Sequence, residues 1–302
     1  MRKQGIVAGI AVLCLLAGLA GPVLANDPCA DYVPQAKPQN AGRDIVGQDF
    51  DQIVERGYLT VAVYEDYPPY SWEEAGQPRG IDVDIAQLIA EDMGVDLRVS
   101  LIAAGENLEA DLRHAIWKGP VVGGAVSNVM MRVPYDSTFR CRVEQVVFGG
   151  LYQEESIAIA YRVSDYPDGG PVPAYFRFDS VAVENDSLSD FYLTSFAGGQ
   201  TAAGVRRYPT MDAAMEALNA GETMAAMGPL AQLEFFRGDG VAVHQPPLPG
   251  LAKSRWPLGT AVHFSYRGLS YTVEDAIAAA LADGRIAGIY EKYGLTHQPP
   301  EW

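Results

Sequence analysis

The order of segments constrains this chain more than any single motif does. From Leu59 onward, short β-branched runs alternate with stretches of helical period, and after residue 160 the alternation begins again. Residues 59–64 read as a strand behind a turn at Gly57. Ile85, Leu88, Ile89 and Met93 then share a helical face that Gly94 closes, and residues 95–99 read as the next strand. A helix over 108–117, a buried strand over 121–126, and strands over 145–148 and 156–161 around a Gly149-Gly150 break complete the first round. The second has strands at 180–183, 205–208 and 224–227, with helices at 188–196, 211–220 and 230–236. A proline-rich loop, 245–257, leads to a strand at 260–264 and two closing helices. Thr272-x-x-Asp275 reads as a capping-box start to the first of these, and Ile286, Ile289, Tyr290 and Tyr293 line the second. Such alternation predicts an α/β protein of parallel sheets with helices on both faces, and the restart predicts two sheets. Ligands in these folds bind beyond the carboxyl ends of strands, which points to the loop after Tyr64. There Tyr67, Tyr70 and Trp72 sit around Pro68 and Pro69 and are the candidate cleft aromatics.

The N-terminus predicts export. Arg2 and Lys3 precede an apolar run over 5–19 and a Val-x-Ala site ending at Ala25, so residues 1–25 read as a signal peptide. Its removal leaves 20 basic groups against 38 acidic ones, a formal charge of −18. That excess disfavours nucleic acid and anionic membranes as partners, and no other window approaches the length of a bilayer span. Residues 26–49, rich in Pro, Gln, Asn and Gly, read as an extended arm. Cys29 and Cys141 survive export into an oxidising compartment, where a disulfide from arm to body is the simplest reading.

Catalytic signatures are missing: the chain has no nucleophile elbow, P-loop or dinucleotide fingerprint. Asp82 and Asp84 lie in the first turn of a predicted helix, with Asp82 as its N-cap, and no calcium-loop spacing surrounds them. The histidines at 114, 244, 263 and 297 are scattered without ligand spacing. A non-enzymatic protein with no metal and no cofactor of its own is the expectation.

Three stretches resemble the periplasmic polar amino-acid binding proteins: Tyr67-Pro68-Pro69-Tyr70-Ser71-Trp72, Gly80-Ile81-Asp82-Val83-Asp84-Ile85, and residues 286–294. The resemblance implies a two-lobed periplasmic binding protein (type II) fold with two crossing hinge segments. Residues 50–153 plus 254–302 would form lobe 1 and 154–253 lobe 2. In that family an arginine behind a Thr-rich turn grips the ligand carboxylate; here the region reads Ser127-Asn128-Val129-Met130-Met131-Arg132, making Arg132 the candidate. Where the family places an acid for the ammonium group, this chain reads Met227-Gly228-Pro229. Trp256, beside the second crossing, is a further cleft candidate. Residues 115–147, through Val133-Pro134-Tyr135-Asp136, Phe139-Arg140-Cys141-Arg142 and Glu144-Gln145-Val146-Val147, more narrowly resemble the J proteins (XoxJ and MxaJ types, closer to XoxJ) of quinoprotein methanol dehydrogenases. That resemblance implies a periplasmic accessory protein that helps mature or activate a pyrroloquinoline quinone-dependent, lanthanide-dependent methanol dehydrogenase of XoxF type, its expected partner. The alternative is the solute receptor of an ABC transporter, closing on a small carboxylate through Arg132 and the aromatic loop.

Overall fold

The strands predicted on either side of residue 160 join into one hydrogen-bonded path in the computed structural model, which describes Cys29, residues 47–120 and residues 124–301. In chain order the strands are β1 (Tyr58–Tyr64), β2 (Trp72–Glu74), β3 (Gln77–Arg79), β4 (Asp96–Ile102), β5 (Val129–Pro134), β6 (Val146–Arg162), β7 (Val181–Glu184), β8 (Val205–Tyr208), β9 (Ala225–Pro229), β10 (Val241–His244) and β11 (Arg255–His263). The main path runs β4-β1-β5-β11-β6-β9-β7-β8, with β10 also on β6; β2 and β3 form a separate hairpin. Two sheets were the expectation, and the two halves are joined because β6 is 17 residues long and serves both. Its first part pairs with β11, its last part with β9 and β10. The Gly149-Gly150 pair does not end the strand. Gly150, at φ 55°, instead sits where the ladder to β11 slips register.

Parallel pairing holds on the flanks, β4-β1-β5 and β9-β7-β8, while β11, β6, β9 and β10 meet antiparallel. Side chains alternate across each half as the pleat requires. Leu59, Val61 and Val63 face Ile85, Ile89, Val273 and Ile277, whereas Ala62 and Met130 pack under Leu112, Ile116 and Trp117. In the second half Ile157, Ile159, Val181 and Val183 meet Phe176 and Leu193, and Ala158, Ala160 and Ala182 lie under Met211, Met215 and Leu218. Both faces are covered, as predicted for an α/β sheet.

Local departures have local causes. No strand occupies residues 124–126, and 121–123 lie outside the described residues; β5 is the strand that pairs with β1 instead. Its Met130-Met131-Arg132 core lacks the β-branched pattern that marks a strand in sequence. The helix placed at 108–117 is α-helical over Leu108–Leu112 and π-helical over Arg113–Trp117. Thr272 does not cap a helix: that helix begins at Arg267, and the Thr272 hydroxyl donates back to the Gly268 carbonyl at 3.2 Å. The predicted leader, 1–25, and the arm apart from Cys29 and residues 47–49 lie outside the described residues. The Cys29–Cys141 disulfide is present, with Cα atoms 5.4 Å apart and a sequence separation of 112.

Candidate functional site

Gly80 sets up the site. It stands at φ 125° as the N-cap of helix Ile81–Asp92, and a Cβ there would strike the Tyr70 carbonyl. That contact lets the Pro69 and Tyr70 carbonyls accept the Ile81 and Asp82 amides, at 3.1 and 2.9 Å, so the aromatic loop is laid against the helix start. Asp82 is therefore not the N-cap that its position suggests. Its side chain is buried and turned toward Arg132.

Arg132 sits where β5 and β11 lose register between Gly259 and Ala261, in a left-handed backbone conformation at φ 57°. Its Nε donates to Asp82 Oδ2 at 2.7 Å, and its Nη2 donates to Asp82 Oδ1 at 3.2 Å and Gln153 Oε1 at 3.1 Å. Nη1 lies 3.7 Å from Glu155 Oε2, and the guanidinium rests 3.3 Å above the Tyr70 ring. Tyr152 donates its hydroxyl to Asp82 Oδ1 at 2.8 Å and accepts the Arg132 amide at 3.0 Å. Tyr70 donates to Glu155 Oε2 at 2.6 Å, and Tyr290 donates to Gln153. Burial works against the Arg132 charge, but Asp82 and the surrounding tyrosines outweigh it and hold the guanidinium well above the ordinary arginine range. For Glu155 burial prevails: it raises the carboxyl above its usual value despite Arg132, the Tyr70 hydroxyl and the Ser156 amide.

Arg132, the candidate for gripping a ligand carboxylate, lines a cavity but also meets acids of the protein itself. Its cation is already met inside the protein, bidentate on Asp82 and beside Glu155, so an incoming carboxylate would face two acids for one guanidinium.

Above this network lies a cavity of about 260 Å³ lined by Tyr64, Tyr67, Asp111, Arg132, Glu155 and Trp256, with Pro229 from the second half. Asp111 is buried, accepting from the Tyr64 hydroxyl at 2.8 Å and the Gly105 amide at 2.7 Å. Burial and then Asp111 push the Tyr64 hydroxyl far above the tyrosine range. Tyr67 is pushed up to about 12, by burial first and then by Glu155 and Glu184 against the pull of Arg132. On the other side of Tyr67 a second cavity of about 330 Å³ opens between the halves, with Trp72, Glu184, Thr210, Gln232 and Phe236 in its wall. Among the described residues no cluster of His, Cys, Asp and Glu has the geometry of a metal site.

The structure thus brings Tyr67, Arg132 and Trp256 to the first cavity and Tyr67 with Trp72 to the second. Tyr70 reaches neither; it is wholly buried beneath Arg132. Asp111, Glu155, Glu184 and Gln232 escaped the sequence reading. Only Glu155 left a visible trace, in the polar Gln153-Glu154-Glu155 interruption of an otherwise apolar strand.

Comparisons with known proteins agree with this architecture. Residues 59–114 match the family of bacterial extracellular solute-binding proteins, family 3. An ancestral cationic amino-acid solute-binding protein superimposes with a TM-score of 0.66 at 21% identity, over 81% of this chain and 98% of that one. The fold is that of the two-lobed periplasmic binding proteins. An arginine-bound amino-acid ABC transporter substrate-binding protein from Streptococcus pneumoniae matches at TM-score 0.57 and 18% identity, over 83% of this chain and 100% of that one. A histidine kinase sensor domain of periplasmic binding-protein type matches at 0.53 and 21%, over 80% of this chain and 98% of that one. Among curated proteins, cyclohexadienyl dehydratase of Pseudomonas aeruginosa is 48% identical over 50 residues, 16% of this chain and 19% of that protein. The matching span therefore covers about a fifth of the relative. In this fold β6 and β11 are the crossing segments, and both cavities lie between the lobes.

Proposed function

We propose that the protein is a non-catalytic, periplasmic solute-binding protein that closes its inter-lobe cleft on a small organic solute. The observation that carries this reading is the cavity between the lobes, walled by Tyr67 and Trp256 and floored by the Arg132 network. The match of residues 59–114 to the solute-binding family supports it, as do the leader-like N-terminus and the disulfide. Among the described residues no helix is long and apolar enough to cross a membrane. A thermal-shift screen of amino acids, organic acids, amines and neutral solutes, followed by calorimetry, tests the proposal. A true ligand at a hundred times its dissociation constant stabilises the fold by about 2.7 kcal/mol. No stabilisation by any class would sink the reading, and recovery of a ligand chemically altered would turn it toward catalysis of the kind the Pseudomonas relative's name describes.

A second reading keeps the accessory role beside a methanol dehydrogenase. It rests on the resemblance of residues 115–147, and one local feature favours it. Helix Ser137–Arg142, tied to the arm through Cys141, presents exposed Arg140 and Arg142 against Tyr135 and Phe139 on an otherwise acidic molecule. Binding to a purified quinoprotein methanol dehydrogenase, abolished by Arg140→Glu with Arg142→Glu, would support it. Absence of binding to apo and holo enzyme alike would remove it.

A further inference from the structure

The second inter-lobe cavity has acids in its wall and no Lys or Arg. Asp66, Glu73, Glu184 and Asp212 line it together with Tyr67, Trp72 and Phe236. Asp66, Glu73 and Asp212 are exposed and remain hydrated. Glu184 differs. It ends β7, it is half-buried, and no hydrogen bond or ion pair among the described residues reaches its carboxylate. Burial accordingly lifts its pKa above the usual glutamate value. Gln232, in the same wall, is 5% exposed. Its amide nitrogen donates to the Pro68 carbonyl at 3.3 Å, which leaves Oε1 buried with no partner among the described residues.

A buried acceptor without a donor is unfavourable, and so is a half-buried carboxylate without a cation, for the same reason. One kind of group answers both: a cation carrying several N–H donors. We propose that this compartment binds the protonated amine or guanidine end of a small organic cation, with Glu184 as counter-charge, Gln232 Oε1 as neutral acceptor, and Tyr67 and Trp72 against its alkyl part. The proposal deepens the solute-binding reading and rests on it. A quaternary ammonium would satisfy Glu184 but donate nothing to Gln232. An α-amino acid would bring a carboxylate among acids, so the class is amines that lack one. The formal charge of −16 on the whole chain draws cations.

Calorimetry on the full exported chain with putrescine and agmatine as probes tests this, with choline, arginine and a set of neutral and acidic solutes as comparators. Glu184→Gln is the test variant. Glu216→Gln, on the exposed face of helix Met211–Ala220, makes the same change in charge away from the cavity. The expected result is binding of putrescine or agmatine, stronger than that of choline or arginine. Glu184→Gln should weaken it at least roughly tenfold, while Glu216→Gln leaves it nearly unchanged. Undiminished binding in Glu184→Gln overturns the proposal, as does failure of both amines to bind at millimolar concentration. If neutral or acidic solutes bind where amines do not, the amine site falls and the solute-binding reading stands; if nothing binds, both fall.

Discussion

Arg132 lines the first cavity and at the same time meets buried acids of the fold. With Asp82 and Glu155 both nearly inaccessible beside it, deleting the guanidinium strands two acids. Arg132→Ala is expected to destabilise the ligand-free protein by about 3–5 kcal/mol, measured by urea unfolding. A residue that served only a ligand would leave that midpoint in place. Adding Asp82→Asn to the same chain should recover part of the loss, because one of the stranded charges is gone. Glu184 predicts the reverse behaviour. Its folded pKa is raised, so the folded state holds a proton that the unfolded state has already released. Stability therefore falls as pH rises from the ordinary glutamate range to the raised folded value, and stays lower above it. Glu184→Gln should flatten that part of the pH profile and raise the unfolding midpoint at pH 7. A lower midpoint would mean that the carboxylate has a stabilising partner.

At the scale of elements, the stretches that resemble the binding-protein family turn out to be contacts with one another. The Tyr70 carbonyl needs Gly80, and the Gly80 amide donates to the Tyr293 hydroxyl at 3.2 Å. Lys292 and Tyr293 both reach Asp84 Oδ2, at 2.7 and 3.0 Å. Loop, helix start and C-terminal helix are thus one joint, distant in sequence. Gly80→Ala should cost about 3 kcal/mol, since it adds a steric clash to a backbone angle that L-residues rarely adopt. Comparing urea midpoints of this variant with those of Gly76→Ala separates the two terms, because Gly76 has a positive φ but no atom near its would-be Cβ. The disulfide acts on the unfolded chain: closing a loop over a separation of 112 residues, its removal by Cys141→Ser should cost about 2–4 kcal/mol. An unchanged denaturation midpoint would show that the arm contributes nothing to stability.

The whole molecule is held together by β6. Because this strand pairs with β11 in one lobe and with β9 and β10 in the other, neither lobe can lose its sheet without exposing a strand that the other uses. The expected consequence is a single calorimetric transition with equal van't Hoff and calorimetric enthalpies. Two resolved transitions would mean that the lobes unfold independently. The same strand places the cleft, since the lobes face each other beside its crossing with β11, and the acids on both sides leave that cleft electronegative.

Much of this was written locally. The strand–helix alternation, its restart after residue 160 and the apolar faces of the helices are properties of neighbouring residues, governed by backbone periods, and they identify an α/β chain whose loop after Tyr64 lies at the cavities. Tyr67, Trp72 and Trp256 were legible as cleft residues because they flank that loop and the second crossing. The partners of Arg132 were not. Asp82 is 50 residues away and Glu155 lies across the crossing, and nothing local distinguishes an arginine that meets a ligand from one that meets buried acids. The strand at β5, the continuity of β6 through Gly149-Gly150, and the pairing of Glu184 with Gln232 in one wall likewise depend on contacts between distant segments. Local periodicity determined the fold class; long-range pairing decided which charges are met inside the protein and which line the cavities.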